Sequence, residues 1–75
     1  MAQDIGHTFL MKLYEKSVND SVEDFDKYEI GNEIGLLDKI QTDNLVNELV
    51  FRGYVIEAKK NKISLSIKGR KKVEF

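Results

Sequence analysis

Residues 38–67 have the sequence DKIQTDNLVNELVFRGYVIEAKKNKISLSI, and this stretch predicts a helix followed by a two-stranded hairpin. The helix is predicted from Asp38 to Arg52. Asp38 and Gln41 have the spacing of a capping box, in which the carboxylate accepts from an unpaired backbone N–H and the second side chain reaches back. A rival start places Thr42 at the N-cap.

The end and the buried face of this helix are also marked in the sequence. Gly53 can take the left-handed conformation that closes a helix, and Tyr54 can then pack back on Leu49, as in a Schellman motif. The apolar residues at the spacing of one helical face are Leu45, Val46, Leu49 and Val50.

The hairpin is predicted from period-two alternation. Apolar Ile63, Leu65 and Ile67 alternate with two serines, the pattern of a half-buried strand. Residues 54–58 have strand composition. The polar turn between them runs from Lys59 to Lys62 and includes an asparagine, a residue that tolerates positive φ.

Length and composition limit the alternatives. Seventy-five residues make one domain, 1–75, which buries roughly 60–65% of the surface of its unfolded chain. There is no Cys for a disulfide or a thiolate metal site. No apolar run approaches the roughly 20 residues that span a bilayer, and no signal-peptide pattern is present. We therefore expect a cytoplasmic protein.

The charge is strongly asymmetric along the chain. Residues 1–58 carry twelve acids and five bases, a net charge of −7, whereas residues 59–75 carry seven bases and one acid, a net charge of +6. A basic segment of this kind often meets an anion, most often nucleic acid. The alternative is a solvated hairpin with a charged tail.

The first half of the chain predicts two helices. The first runs from about Gly6 to Ser17, because its apolar residues follow helical spacing: Ile5, Phe9, Leu10, Leu13 and Tyr14. His7, near its start, has no second His or Cys with which to share a metal, and we expect a surface or packing role.

An acidic connection follows, and then the second helix. Residues 19–25 lack the central Gly of a calcium loop, so we expect a solvated connection with a short extended piece at residues 22–25. Asp26 and Glu29 form a second possible capping box, which opens a helix from Lys27 to Ile34.

The second helix carries a glycine in its middle and another after its end. Gly35 can close this helix, with Leu36 packing back on Ile30. Gly31 costs about 1 kcal/mol relative to Ala at a mid-helix position, and a close helix crossing would explain it.

The C-terminal segment leaves two alternatives open. Gly69 either starts a short helix or loosens the chain. Val73 and Phe75 are apolar, and they pack either on the first helix or against a second copy of the chain.

Three segments together resemble one family. They are IGNEIGL at residues 30–36, LVNELVFRGYV at 45–55 and ISLSIKG at 63–69. They resemble the winged helix-turn-helix superfamily of small bacterial and archaeal regulators, in which the wing ends in Thr-x-Lys-Gly. Ile67 replaces that Thr, and the turn between the helices is about one residue longer. The resemblance implies an α+β fold, with three helices followed by a two-stranded wing and room for a short C-terminal helix.

The resemblance also implies a DNA-binding site. The long helix would enter the major groove, and its candidate contact residues are Lys39, Gln41, Thr42, Asn44 and Asn47. The wing and basic tail would meet phosphate or the minor groove through Lys59, Lys60, Asn61, Lys62, Lys68, Arg70, Lys71 and Lys72. Amide side chains can bond adenine edges, and Thr can meet a thymine methyl or a phosphate.

The charges of the long helix are unfavourable for DNA, because Asp43 and Glu48 oppose phosphate. The wing and tail must therefore supply most of the affinity. If four to six of these bases neutralise phosphates, log affinity should fall with log salt at a slope of roughly −4 to −5.

We expect a DNA-binding transcription regulator, working as a homodimer whose two long helices lie about 34 Å apart. The alternative is a winged-helix module that binds only protein, since the acidic first 58 residues suit a basic partner. We expect no enzyme and no cofactor, because one His, no Cys and no Gly-rich phosphate loop are present.

Overall fold

The computed structural model describes residues 4–19 and 24–74 and has an α+β fold. In this part of the chain four helices combine with a three-stranded antiparallel sheet. The elements are α1 (Ile5–Asn19), β1 (Phe25–Asp26), α2 (Lys27–Glu33), α3 (Lys39–Phe51), β2 (Val55–Lys59), β3 (Lys62–Leu65) and α4 (Ile67–Glu74). None of the four helices has the length and apolar character needed to cross a bilayer.

The sheet has one strand more than the predicted hairpin. Its order is β1-β3-β2, so that β3 is central, and Phe25 pairs with Ile63 on the added side. The predicted extended piece at residues 22–25 is confirmed only at Phe25, because residues 22 and 23 lie outside the described part of the chain. The connection at residues 20–23 lies outside it as well.

The hairpin turn is tighter than predicted, because Lys59 and Lys62 pair with each other as the last residues of the two strands. A β-bulge between Glu57 and Lys59 accommodates the change of register. Asn61 does not use positive φ: in the described residues, φ is positive only at two glycines.

The predicted strand position of Ile67 is wrong, because Ile67 begins α4 and is exposed. Ser66 caps this helix: the Gly69 N–H donates to its Oγ at 2.9 Å. The same hydroxyl donates to the Gly53 carbonyl at 2.6 Å. Local capping therefore overrides the alternation, and Gly69 belongs to a short C-terminal helix rather than to a loose end.

Both predicted N-caps are confirmed, but at each helix only one of the two bonds of a capping box is present. Asp38 Oδ1 accepts from the Ile40 N–H at 2.8 Å, and Asp26 Oδ1 accepts from the Tyr28 N–H at 2.8 Å. In the described part of the chain, neither Gln41 nor Glu29 returns a side-chain bond. The rival start of α3 at Thr42 is wrong.

The predicted glycine ends are also confirmed. Gly35 and Gly53 have φ of +91° and +84°, and the residue after each donates to the carbonyl five residues earlier, as a Schellman motif requires. These bonds run from the Leu36 N–H to the Gly31 carbonyl at 2.8 Å and from the Tyr54 N–H to the Leu49 carbonyl at 2.9 Å.

The predicted close crossing at Gly31 is present. A Cβ built on Gly31 would lie 2.7 Å from Thr42 Oγ1 and 3.3 Å from Thr42 Cγ2. Only a residue without a side chain lets α2 and α3 approach this closely. This contact fixes how the two helices of the predicted turn motif cross.

One hydrophobic core joins the helices to the inner face of the sheet. It consists of Phe9, Leu10, Leu13, Phe25, Ile30, Val46, Leu49, Val55 and Ile63, and Leu45 and Val50 pack against it. Val73 also packs on this core, and the Tyr14 hydroxyl donates to Glu74 Oε2 at 3.3 Å. Val73 thus follows the first alternative, packing with α1; Phe75 lies outside the described residues.

The substitution Gly31→Ala separates helix propensity from crowding. Propensity alone predicts a gain of about 1 kcal/mol in the free energy of unfolding. The clash with Thr42 predicts a loss of about 1–3 kcal/mol instead. Urea denaturation of the variant measures the sign.

Thr42→Ala provides the control for this prediction, because it removes the two crowding Thr42 atoms and, of the three nearest atoms, leaves only the Leu36 carbonyl oxygen at 3.3 Å. We expect Gly31→Ala to cost less in the Thr42→Ala background than in the parent chain. A Gly31→Ala protein more stable than the parent would contradict the crowding.

Candidate nucleic-acid interface

The solvent face of α3 is formed by four residues, which we call the α3 stripe: Ile40, Asn44, Asn47 and Phe51. At about 100° per residue they span only about 60° of the helix circumference. All four are exposed. Opposite them lie the residues that face the core, Val46 and Leu49 among them.

Four of the five residues predicted for the long helix are exposed: Lys39, Gln41, Asn44 and Asn47. The prediction of Thr42 as an exposed contact residue is wrong, because Thr42 is 1% exposed. Its side chain occupies the crossing with Gly31 and is closed to any ligand.

The predicted contact residues of the long helix did not include the two apolar members of the α3 stripe. Ile40 is 69% exposed and Phe51 is 91% exposed, and Leu37, just before the helix, is exposed as well. Ile40 and Phe51 are eleven residues apart, three helical turns, and neither belongs to the predicted buried face. That spacing was a signal in the sequence, although only the fold shows that nothing in the described chain covers these side chains.

The hairpin tip, residues 59–62, carries three exposed lysines: Lys59, Lys60 and Lys62. Within the described residues none of the three forms an ion pair. Asn61, which was also predicted as a contact residue, is half-buried, and its carbonyl accepts from the Lys27 N–H at 2.9 Å. Asn61 therefore joins the hairpin tip to the start of α2 through its backbone.

Lys27 continues this connection to α3. Its side chain is buried, with 8% of the residue exposed, and its Nζ lies 3.0 Å from Asp43 Oδ1. The Tyr28 hydroxyl donates to the same oxygen at 2.8 Å. We call Lys27, Tyr28 and Asp43 the Lys27 junction.

The Lys27 junction places the hairpin tip at the side of α3. Around the helix axis, at about 100° per residue, Asp43 falls between buried Val46 and exposed Asn47. The hairpin tip is thus linked, through Lys27, to the flank of α3 that lies between its buried face and its solvent face.

The contacts within the Lys27 junction shift the pKa of each of its three side chains. The hydrogen bonds from Lys27 and Tyr28 lower the pKa of Asp43 below 3.8. The bond to Asp43 raises the pKa of Lys27 above 10.5, against the opposing effect of burial. The bond to Asp43 also raises the pKa of Tyr28. The predicted opposition of Asp43 to phosphate is thus reduced, because Lys27 balances its charge.

Lys39 is held on the outer side of the same tyrosine. Its Nζ lies 5.1 Å from the centroid of the Tyr28 ring, and Lys27 Nζ lies 5.4 Å from it. Both distances suit cation–π contacts. Lys39 therefore stands beside the start of α3, away from the α3 stripe.

Glu48 is also paired, which changes the electrostatics predicted for α3. Its Oε2 accepts from Arg52 Nη2 at 2.8 Å and from Arg52 Nε at 3.1 Å. Both side chains are exposed, so the pair adds little stability. It nevertheless neutralises the Glu48 carboxylate that was expected to repel phosphate.

The predicted basic tail is not a single patch, because residues 67–74 are helical. Lys68 and Lys72 stand over the Tyr54 ring, at 5.4 and 5.9 Å from its centroid. Arg70 stands over the Tyr14 ring at 5.5 Å. Since Lys68 and Arg70 are about 200° apart around the helix, one ligand cannot lie across both. The fourth base, Lys71, is exposed.

The described part of the chain offers no cluster of metal ligands. Within residues 4–19 and 24–74, no three His, Asp or Glu side chains converge in a way that could hold a metal ion. His7 is half-buried and lines a shallow cleft together with Glu48, Arg52 and Lys72.

Comparisons of the chain with protein-family models, with curated proteins and with solved structures find no match. Its function is therefore inferred from the geometry of α3 and the hairpin.

Replacing Asp43 tests the Lys27 junction. Because its folded-state pKa lies below 3.8, the charged Asp43 stabilises the fold above about pH 4 and loses this effect as the pH falls through the folded-state value. Lys27, with its raised pKa, contributes below pH 10.5 and loses its effect above it. We therefore expect Asp43→Asn to lower the free energy of unfolding by a constant amount between these limits.

Urea denaturation across a pH series measures this difference. The stability difference between the parent chain and Asp43→Asn should shrink as the pH falls below about 4, because protonation then removes the Asp43 charge that the variant already lacks. Glu29→Gln, at an exposed carboxylate on α2, is the matched control and should change stability little. A parent-to-Asp43→Asn difference that stays constant down to the most acidic pH would contradict a role for the Asp43 charge.

Proposed function

We propose that this chain is a winged-helix DNA-binding domain that acts in transcription regulation. In this proposal α3 enters the major groove, and the hairpin tip lies on the phosphate backbone beside it. The four helices and three-stranded sheet are compatible with a winged-helix arrangement.

One observation carries the proposal: the Lys27 junction ties the hairpin tip to the flank of α3. The Asn61 carbonyl binds the Lys27 backbone, and the Lys27 side chain binds Asp43. A hairpin tip with three lysines that form no ion pair in the described chain is thereby linked to the helix whose exposed face carries two amide side chains. A helix and a cationic loop that point the same way can meet one duplex together.

The electrostatics favour contact through the hairpin tip. Its three lysines have no carboxylate partner in the described chain, whereas Glu48 and Asp43 on α3 are each paired with a base. If Lys59, Lys60 and Lys62 each neutralise one phosphate, the slope of log affinity against log salt should be about −3. This value is smaller than the sequence predicts, because the bases of α4 diverge.

A homodimer is part of the proposal, since two-fold operators are read by pairs of helices about one DNA turn, roughly 34 Å, apart. Chain mass by light scattering, with and without duplex, measures the oligomeric state. A 2:1 complex on a palindromic duplex is the expected result.

Neutralising the lysines of the hairpin tip tests DNA binding. We expect Lys59→Gln, Lys60→Gln and Lys62→Gln each to reduce the salt slope on a random duplex by about 0.9. The triple change of these residues to Glu should abolish binding. Fluorescence anisotropy across a salt series measures both effects.

Lys12→Gln is the matched control, because it removes the same charge from α1, where Lys12 pairs with Glu15. It should leave the salt slope unchanged. Equal losses from Lys12→Gln and Lys60→Gln would mean that only net charge matters, and the proposed interface would be wrong.

The second candidate is a protein-interaction module, and the exposed apolar members of the α3 stripe favour it. Ile40, Phe51 and, just before the helix, Leu37 are large apolar side chains exposed to solvent, which contact with a phosphate backbone does not require. Low-salt titration distinguishes the two candidates: measurable affinity for duplex supports the first, and its complete absence supports the second.

A further inference from the structure

We propose that the α3 stripe reads A·T base pairs in the major groove, so that the substrate class is A·T-rich duplex DNA. This inference rests on the proposed function and specifies it. It follows from the hydrogen-bonding groups and the apolar groups that α3 exposes to solvent. It follows also from the charged side chains of α3 that are engaged by other residues.

The amides of the α3 stripe match adenine. Asn44 and Asn47 are exposed, and in the described chain neither makes a side-chain hydrogen bond. A free carboxamide donates and accepts at once, so it can bond adenine N7 and N6 with two parallel hydrogen bonds. Gln41, also exposed one turn earlier, has the same chemistry.

The apolar side chain before them matches thymine. Ile40 is 69% exposed and lies four residues before Asn44, on the same line of the helix. In the major groove the C5-methyl group of thymine is the apolar feature of a base edge. An isoleucine pointing into the groove would bury this methyl and would gain nothing from a G·C pair.

Groups that would read guanine are absent from the stripe. Bidentate contact with guanine needs Arg or Lys. Arg52 is bound to Glu48 through two hydrogen bonds, and Lys39 stands over the Tyr28 ring. The same pairing engages Oε2 of Glu48, the carboxylate on α3 that could accept from cytosine N4, and so weakens it as an acceptor.

The dimensions agree with reading a short run of base pairs. Ile40 and Asn47 are seven residues apart, which is about 10 Å along a helix. This length is close to the roughly 12 Å width of the major groove and to about three base-pair steps of 3.4 Å. The part of the α3 stripe from Ile40 to Asn47 therefore suits about three consecutive A·T pairs.

Anisotropy titrations on duplexes of equal length test the inference. We expect an A·T-rich duplex to bind at least about 10-fold more tightly than a G·C-rich one. Replacing adenine by 7-deazaadenine removes the N7 acceptor and should weaken binding about 5- to 100-fold. Replacing thymine by uracil removes the methyl group and should weaken it by a smaller factor.

Variants assign the effect to residues. Asn44→Ala and Ile40→Ala change exposed side chains, so we expect both to fold, as circular dichroism would verify. Asn44→Ala should reduce the sensitivity to 7-deazaadenine, because Asn47 remains, and Ile40→Ala should remove the sensitivity to uracil. Asn19→Ala, at an exposed position at the end of α1, is the matched control and should preserve both.

The outcomes separate this inference from the proposed function. Tight binding to every duplex regardless of sequence would overturn the A·T preference and leave DNA binding intact. An A·T preference unaffected by 7-deazaadenine would also overturn it, because lysines in a narrow minor groove would then supply the preference. No binding to any duplex would reject the proposed function itself.

Discussion

The arrangement of the outer surface depends on the bonds that Lys27 makes with the hairpin and with α3. The Lys27 backbone N–H holds the hairpin through Asn61, and its Nζ holds α3 through Asp43. A charge with 8% of its residue exposed is costly to leave unpaired. The position of α3 relative to the hairpin is therefore constrained by electrostatics as well as by packing.

The constraint acts together with the Gly31–Thr42 crossing. Both join α3 to α2: the first through Lys27, which also bonds to the hairpin, and the second through Thr42 Oγ1, 2.7 Å from the position that a Gly31 Cβ would take. With two independent contacts, α3 has little freedom to rotate about its own axis. The residues that face solvent, such as Asn44, are thus determined by contacts on the other sides of the helix.

Much of the fold could be predicted because its signals are local. The Asp38 and Asp26 caps and the Gly53 end depend on residues within a single turn. The burial of Thr42 could not be predicted in this way, because its partner lies on another helix. Nor could the pair between Lys27 and Asp43, which are sixteen residues apart in the sequence. The arrangement of the bases in the tail could not be predicted either, because residues close in the sequence need not share a surface, and a helix turns Lys68 and Arg70 apart.

The two hydrogen bonds of the Ser66 hydroxyl affect how the chain unfolds. One hydroxyl group donates to the carbonyl at the end of α3 and accepts from the amide that starts α4. Neither terminus can fray without exposing an unpaired group in the other. The last helix is thereby joined to the cooperative unit formed by the preceding elements, and its eight residues should melt with the domain instead of detaching as a separate tail.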